Sequence, residues 1–114
     1  MSSEDGQAEP PRLTDEEMLA RFTNSKKRPP CTETVGMRLT HVDQARMTAR
    51  YAFEARQDFA NPTGAIQGGF LAAMLDEAMS TTAIIVSNVT MNAPTLEMKV
   101  SFLRPLFVGA ATAE

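Results

Sequence analysis

Tryptophan is absent from this 114-residue chain, and cysteine, histidine and tyrosine each occur once. A lone Cys31 permits no internal disulfide, and a lone His41 gives no cluster of the kind that holds zinc. The reading is therefore a reducing compartment and chemistry without metal or cofactor. A basic excess is missing too: 11 Lys and Arg stand against 14 Asp and Glu, for a net charge of −3 and a pI near 5.2. That balance leaves no electrostatic footprint for nucleic acid. The apolar runs read as too short and too interrupted to span a bilayer, and the acidic N-terminus lacks the apolar core or arginines of a targeting peptide. These absences lead us to expect a cytoplasmic protein with neither membrane nor nucleic acid as a partner.

What is present divides the chain into three stretches. Residues 1–12 are polar, acidic and proline-rich, a composition that buries too little apolar surface to offset ordering entropy, so a disordered tail is expected. Residues 13–34 read as a short helix and a linker. Thr14 followed by Glu17 is a capping box, and Met18, Leu19 and Phe22 form the apolar side of a helix running to about Asn24. Pro29 and Pro30 then end it, and the basic triplet Lys26, Lys27 and Arg28 before them reads as a solvated linker more readily than as a phosphate-binding patch.

From residue 35 the pattern is that of α+β. Residues 35–42 and 46–56 read as strands joined by a short hairpin connection at Asp43, Gln44 and Ala45, with Met47, Ala49, Tyr51, Phe53 and Ala55 on one face. His41 near a strand end is more often a surface residue than a general base. Between Phe70 and about Ser87 the period becomes helical, with Leu71, Met74, Leu75, Ala78, Thr82 and Ile85 on one stripe. Asp76 falls on another side of that helix, among Ala72, Ala73, Met79, Ser80 and Ala83. This side faces either solvent or a second subunit, since small residues let another backbone approach, and periodicity does not separate the two. No Lys or Arg stands three or four residues after Asp76, so a helix salt bridge does not explain it. Residues 95–103 alternate again, with Leu96, Met98, Val100 and Phe102 on one face, and Phe107 begins a further strand.

The stretch that reads as a site is 61–76. A Pro62-Thr63-Gly64 turn, then Gln67, then Gly68 and Gly69 directly before a helix would leave backbone N–H groups free at a helix N-terminus. Such groups attract an anion or a polarised carbonyl oxygen.

Asn61, Gly64, Gln67-Gly68-Gly69, Asp76, Thr95 and the run Phe102-Leu103-Arg104-Pro105 together resemble the hotdog-fold acyl-CoA thioesterases of the phenylacetate-pathway type, over residues 35–114. The resemblance implies a long central helix wrapped by an antiparallel sheet, with an acyl-CoA substrate and no cofactor. It implies too a homodimer or homotetramer whose active sites draw on two subunits. It also implies roles. The Gly68 N–H would polarise the thioester carbonyl in one subunit, and Asp76 of the facing subunit would act as general base or as attacking carboxylate. Asn61 would orient water or the acyl group, and Thr95 would help to hold the water. Gln67 stands where the family commonly has histidine, and an amide there still donates a hydrogen bond. Gly69, Phe70, Met79 and Arg104 are the candidate substrate contacts. Family members carry about two strands beyond the point where this chain stops, so the expectation is an incomplete hotdog domain. The alternative function is a hotdog module that binds acyl-CoA or a partner without turnover. A hydratase fits less well, because the loop lacks the histidine such enzymes pair with an acid.

Overall fold

The computed structural model describes residues 10–114. Most of the expected tail lies outside these residues. Its end, however, is tied down: Arg12 donates to Gln44 Oε1 at 2.7 Å and to the Val86 carbonyl at 3.2 Å, and the Asn88 amide donates to the Pro11 carbonyl.

Helix α1, Asp15–Thr23, begins as its sequence dictates. Thr14 Oγ1 accepts from the Glu17 N–H while the Glu17 carboxylate accepts from the Thr14 N–H, closing the capping box. Met18, fully buried, fixes it on the core. Helix α1 ends at Thr23 with Asn24 as its cap, well before the Pro29-Pro30 pair, and Pro30 starts a second helix, α2, Pro30–Val35, so the expected linker is half helical. Proline at a first helical position gives up an N–H that has no intrahelical partner and arrives with its φ already helical. Gly36 closes α2 in the left-handed region at φ 68°, which glycine tolerates best. The first strand consequently starts later than expected.

Strand β1, Arg38–Asp43, pairs antiparallel with β2, Thr48–Ala55, which pairs antiparallel with β3, Gly109–Ala113, in the order β1-β2-β3. A register shift between Leu39 and His41 bulges β1. The connection is a 3₁₀ turn, Gln44–Arg46, that leaves Met47 left-handed at φ 53° and two-thirds exposed. Met47 is thereby removed from the face it was expected to share. The remainder of that face, Ala49, Tyr51, Phe53 and Ala55, is buried.

Helix α3, Gly68–Val86, crosses the sheet and buries Met74, Ala78 and Ile85. Leu71, Leu75 and Thr82 of the expected stripe are only half-buried, because three strands cover part of a helix this long. By length and composition α3 is apolar enough to cross a membrane, contrary to the expectation that every apolar run here is too short. Asp76 and Glu77 at its middle and the sheet against one side make it the central helix of the fold.

Residues 95–103, expected as a strand, join no ladder. Leu96 is fully exposed, and Leu103 almost so. An alternating pattern assigns two faces to a segment, whereas a strand also needs a partner beside it, and no described strand pairs with this one although β1 and β3 each keep a free edge.

Candidate active site

Asn61 organises the loop in front of α3. Its Oδ1 accepts from the Thr63 N–H at 2.9 Å, from the Thr63 hydroxyl at 2.6 Å and from the Ala65 N–H at 3.2 Å. The carbonyl oxygen is thus committed to an Asx-type turn, and only the Nδ2 end is left to meet a ligand. Gly64 at φ 88° completes the turn. Beyond it, the Ile66 N–H donates to the Leu106 carbonyl and the Gln67 N–H to the Phe59 carbonyl, both at 2.8 Å. These bonds fix where α3 begins.

Gln67 is the N-cap. Its Oε1 accepts from the Gly69 N–H at 2.7 Å and from the Phe70 N–H at 3.3 Å. Of the first three helical N–H groups, Gly68 alone finds no acceptor among the described residues. The donor left pointing outward at the positive end of the helix dipole is therefore a single one. Both glycines are closely approached by side chains. A Cβ on Gly69 would lie 2.8 Å from Gln67 Oε1 and break the cap, and one on Gly68 would lie 3.3 Å from the Phe102 ring.

Asp76 is half-buried two turns along α3 and accepts a hydrogen bond from the Thr95 hydroxyl. No ion pair engages it among the described residues. At 1.5 Å of rise per residue, Gly68 and Asp76 are about 12 Å apart along one helix, too far to act on one carbonyl. The segment 95–103 runs beside the helix between them, with Thr95 at Asp76 and Phe102 at Gly68.

The candidate substrate contacts are dispersed. Gly69 gives its N–H to the cap. Phe70 is exposed and stacks on buried Phe59, centroids 4.4 Å apart at 13°, while the Arg56 guanidinium lies 4.7 Å from the Phe59 ring. Met79, half exposed one turn after Asp76, borders an apolar groove with Leu75, Ala83, Val86 and Ala113. Arg104 is exposed and is not brought to Gly68 or Asp76 by any hydrogen bond or ion pair among the described residues.

Two arrangements were not read from the sequence. Tyr51, buried on β2, hydrogen-bonds Thr82 Oγ1 at 2.8 Å, and Thr82 spends its own proton on the Ala78 carbonyl at 2.7 Å, so the tyrosine is the donor. Burial pushes its phenol up to about 12, against the lowering effect of the Thr82 bond and with a further rise from the Glu77 charge. Glu77 turns away from Asp76 and accepts from the Thr32 hydroxyl at 2.6 Å and from the Cys31 thiol at 3.4 Å, which pins α2 to α3. An unexpected helix supplies both donors, so no spacing pattern announced them.

Residues 63–114 match the profile of the thioesterase superfamily. A solved protein of Thermus thermophilus, TT0310, is 31% identical over 75% of this chain and 71% of its own, with a TM-score of 0.57. The chain belongs to the thioesterase superfamily. A phenylacetic acid degradation-related protein of Ralstonia eutropha JMP134 superposes with a TM-score of 0.74 at 28% identity, over 83% of this chain and 73% of that one. A mutant of the phenylacetic acid degradation protein PaaI, also from Thermus thermophilus, does so with a TM-score of 0.58 at 29% identity, over 74% and 69%. The likeness is to the PaaI-type members of this superfamily, and the architecture is theirs, the hotdog fold with its long helix against an antiparallel sheet. No curated protein matches the sequence.

Proposed function

We propose that this thioesterase-superfamily chain hydrolyses acyl-CoA thioesters in the cytoplasm as a homodimer or a homotetramer, with each active site built from two subunits. The observation that carries the proposal is the Gly68 N–H, left without an acceptor among the described residues at one end of α3, with Asp76, bonded by Thr95, about 12 Å away on the same helix. A second copy laid against α3 brings its Asp76 to the first copy's Gly68, which one chain alone does not do.

In this site the thioester carbonyl accepts from the Gly68 N–H, a donor placed where negative charge develops as the carbonyl carbon becomes tetrahedral. Asp76 of the facing subunit takes a proton from water as its oxygen adds to that carbon. The C–S bond then breaks, and the proton passes to the departing thiolate, giving a free acid and CoA. Direct attack by the carboxylate, followed by hydrolysis of the resulting anhydride, uses the same groups. Thr95 holds Asp76 and the water in register. Asn61 contributes its Nδ2–H₂ toward the acyl group, and Gln67 acts through its cap, which leaves its Nε2–H₂ free to donate. Gly69, Phe70 and Met79 border the acyl group, and Arg104 meets the nucleotide phosphates.

Release of free thiol from aromatic, short and long acyl-CoAs, measured alongside molar mass in solution, tests this reading. Turnover by a dimer or tetramer supports it. Acyl-CoA that raises the melting temperature while no thiol appears would favour the binding module instead. That outcome has its own support in Gln67, whose Oε1 is consumed by the cap and whose amide does not titrate.

A further inference from the structure

Away from Gly68 and Asp76, a cavity of about 530 Å³ opens between α1, the 24–29 linker, α2, β1 and the second half of α3. Its volume lies in the range of small-molecule sites. Its two sides differ in chemistry. Met37 and Leu39, both buried, form an apolar floor with Phe22, Ile84 and Val89. Arg21, Lys27 and Arg28 form the rim, and with Lys26 they place four of the eleven basic residues of a net acidic chain between positions 21 and 28.

The rim cations outnumber the acid within the lining. Glu77 is the one acidic residue of the lining, and its carboxylate oxygens already accept from Cys31 and Thr32. Carbonyls at the C-terminal end of α1 are occupied as well, by the Asn24 N–H and the Thr23 hydroxyl. Arg28 is fixed in place by Glu33 at 3.3 Å and by its bond to the Met37 carbonyl. Arg21 and Lys27 are exposed and enter no ion pair among the described residues.

From this charge complementarity we infer that the cavity is a second ligand site, which takes an amphipathic carboxylate with its hydrocarbon body on the Met37–Leu39 floor and its head at Arg21 and Lys27. The site shares no residue with the Gly68–Asp76 machinery and does not rest on the thioesterase reading. Head and body each contribute: the exposed cations offer the carboxylate a charge-assisted contact, and the floor gains from covering apolar surface.

Calorimetric titration of the full chain with octanoate, 1-octanol and acetate tests this. Octanoate is expected to bind at least tenfold more tightly than either 1-octanol, which lacks the charge, or acetate, which lacks the body. In the Arg21→Gln, Lys27→Gln variant, whose exposed positions leave the fold intact by circular dichroism, octanoate affinity falls at least tenfold. Absence of octanoate binding overturns the inference, as does acetate or octanol binding equally well. Unchanged octanoate affinity in the double variant does the same, because it places the ligand elsewhere, such as the groove beside Met79.

Discussion

Thr95 donates its hydroxyl hydrogen to the Asp76 carboxylate, joining a segment without a sheet partner to the middle of the central helix. The bond brings together two residues nineteen positions apart, and it gives an acid without an ion pair its one hydrogen-bond donor among the described residues. If Asp76 is the base, its loss removes a contribution of about 10² to 10⁴ in rate. Asp76→Asn is expected to lower thiol release by that factor, Thr95→Ala by less, and Thr95→Ser hardly at all. Steady-state kinetics on the four proteins checks the ranking.

Gly68 offers a cleaner deletion than most backbone donors. Gln67 at φ −62° and ψ 138° already has the conformation that a residue before proline prefers, and proline suits a first helical position. Gly68→Pro should therefore fold and retain helical circular dichroism, while the loss of its N–H lowers kcat by about 10² to 10³.

Capping by Gln67 is measurable as stability. Gln67→Ala is expected to cost about 1 kcal/mol in urea unfolding. Gly69→Ala should cost less, because its Cβ at 2.8 Å displaces only the flexible end of Gln67 while alanine's helix preference offsets part of the loss.

Tyr51 sets the alkaline limit. Its phenol is raised from 10.0 to about 12 by burial, so the folded state favours the neutral form. The associated stability is complete below about pH 10 and is lost as pH rises towards 12, a fall on the order of 2 to 3 kcal/mol. Tyr51→Phe removes the bond to Thr82 and flattens that limb of the stability–pH curve, as melts between about pH 8 and 12 would record.

Much of the fold was legible because local rules and global packing agree. The Thr14–Glu17 box, the β2 alternation and the helical period of α3 each recur at or near the expected residues. What was missed depended on choices that pattern leaves open. The proline pair after α1 signals a stop, and the same Pro30 is a good start. Met47 continues a period of two on paper, but its left-handed φ takes it out of the strand. Residues 95–103 have two clear faces but pair with no strand among the described residues. At the site, the turn, the glycine pair and the acid were visible in order, whereas the cap was not, because glutamine is an uncommon N-cap. The commitment of Asn61 Oδ1 to its own loop was equally hidden, since an asparagine in a turn reads the same whether it holds the backbone or a ligand.

The claim at the centre is that Gly68 and Asp76 of different subunits share one site, and complementation tests it directly. Gly68→Pro and Asp76→Asn chains are each expected to be nearly inactive as homo-oligomers. Co-expressed, they form mixed dimers in which one site carries both lesions and the other neither, so thiol release should recover to about a quarter of the parent rate under random pairing. A mixture that forms mixed dimers, as verified by tag-based purification, and yet stays as inactive as its components would contradict the account.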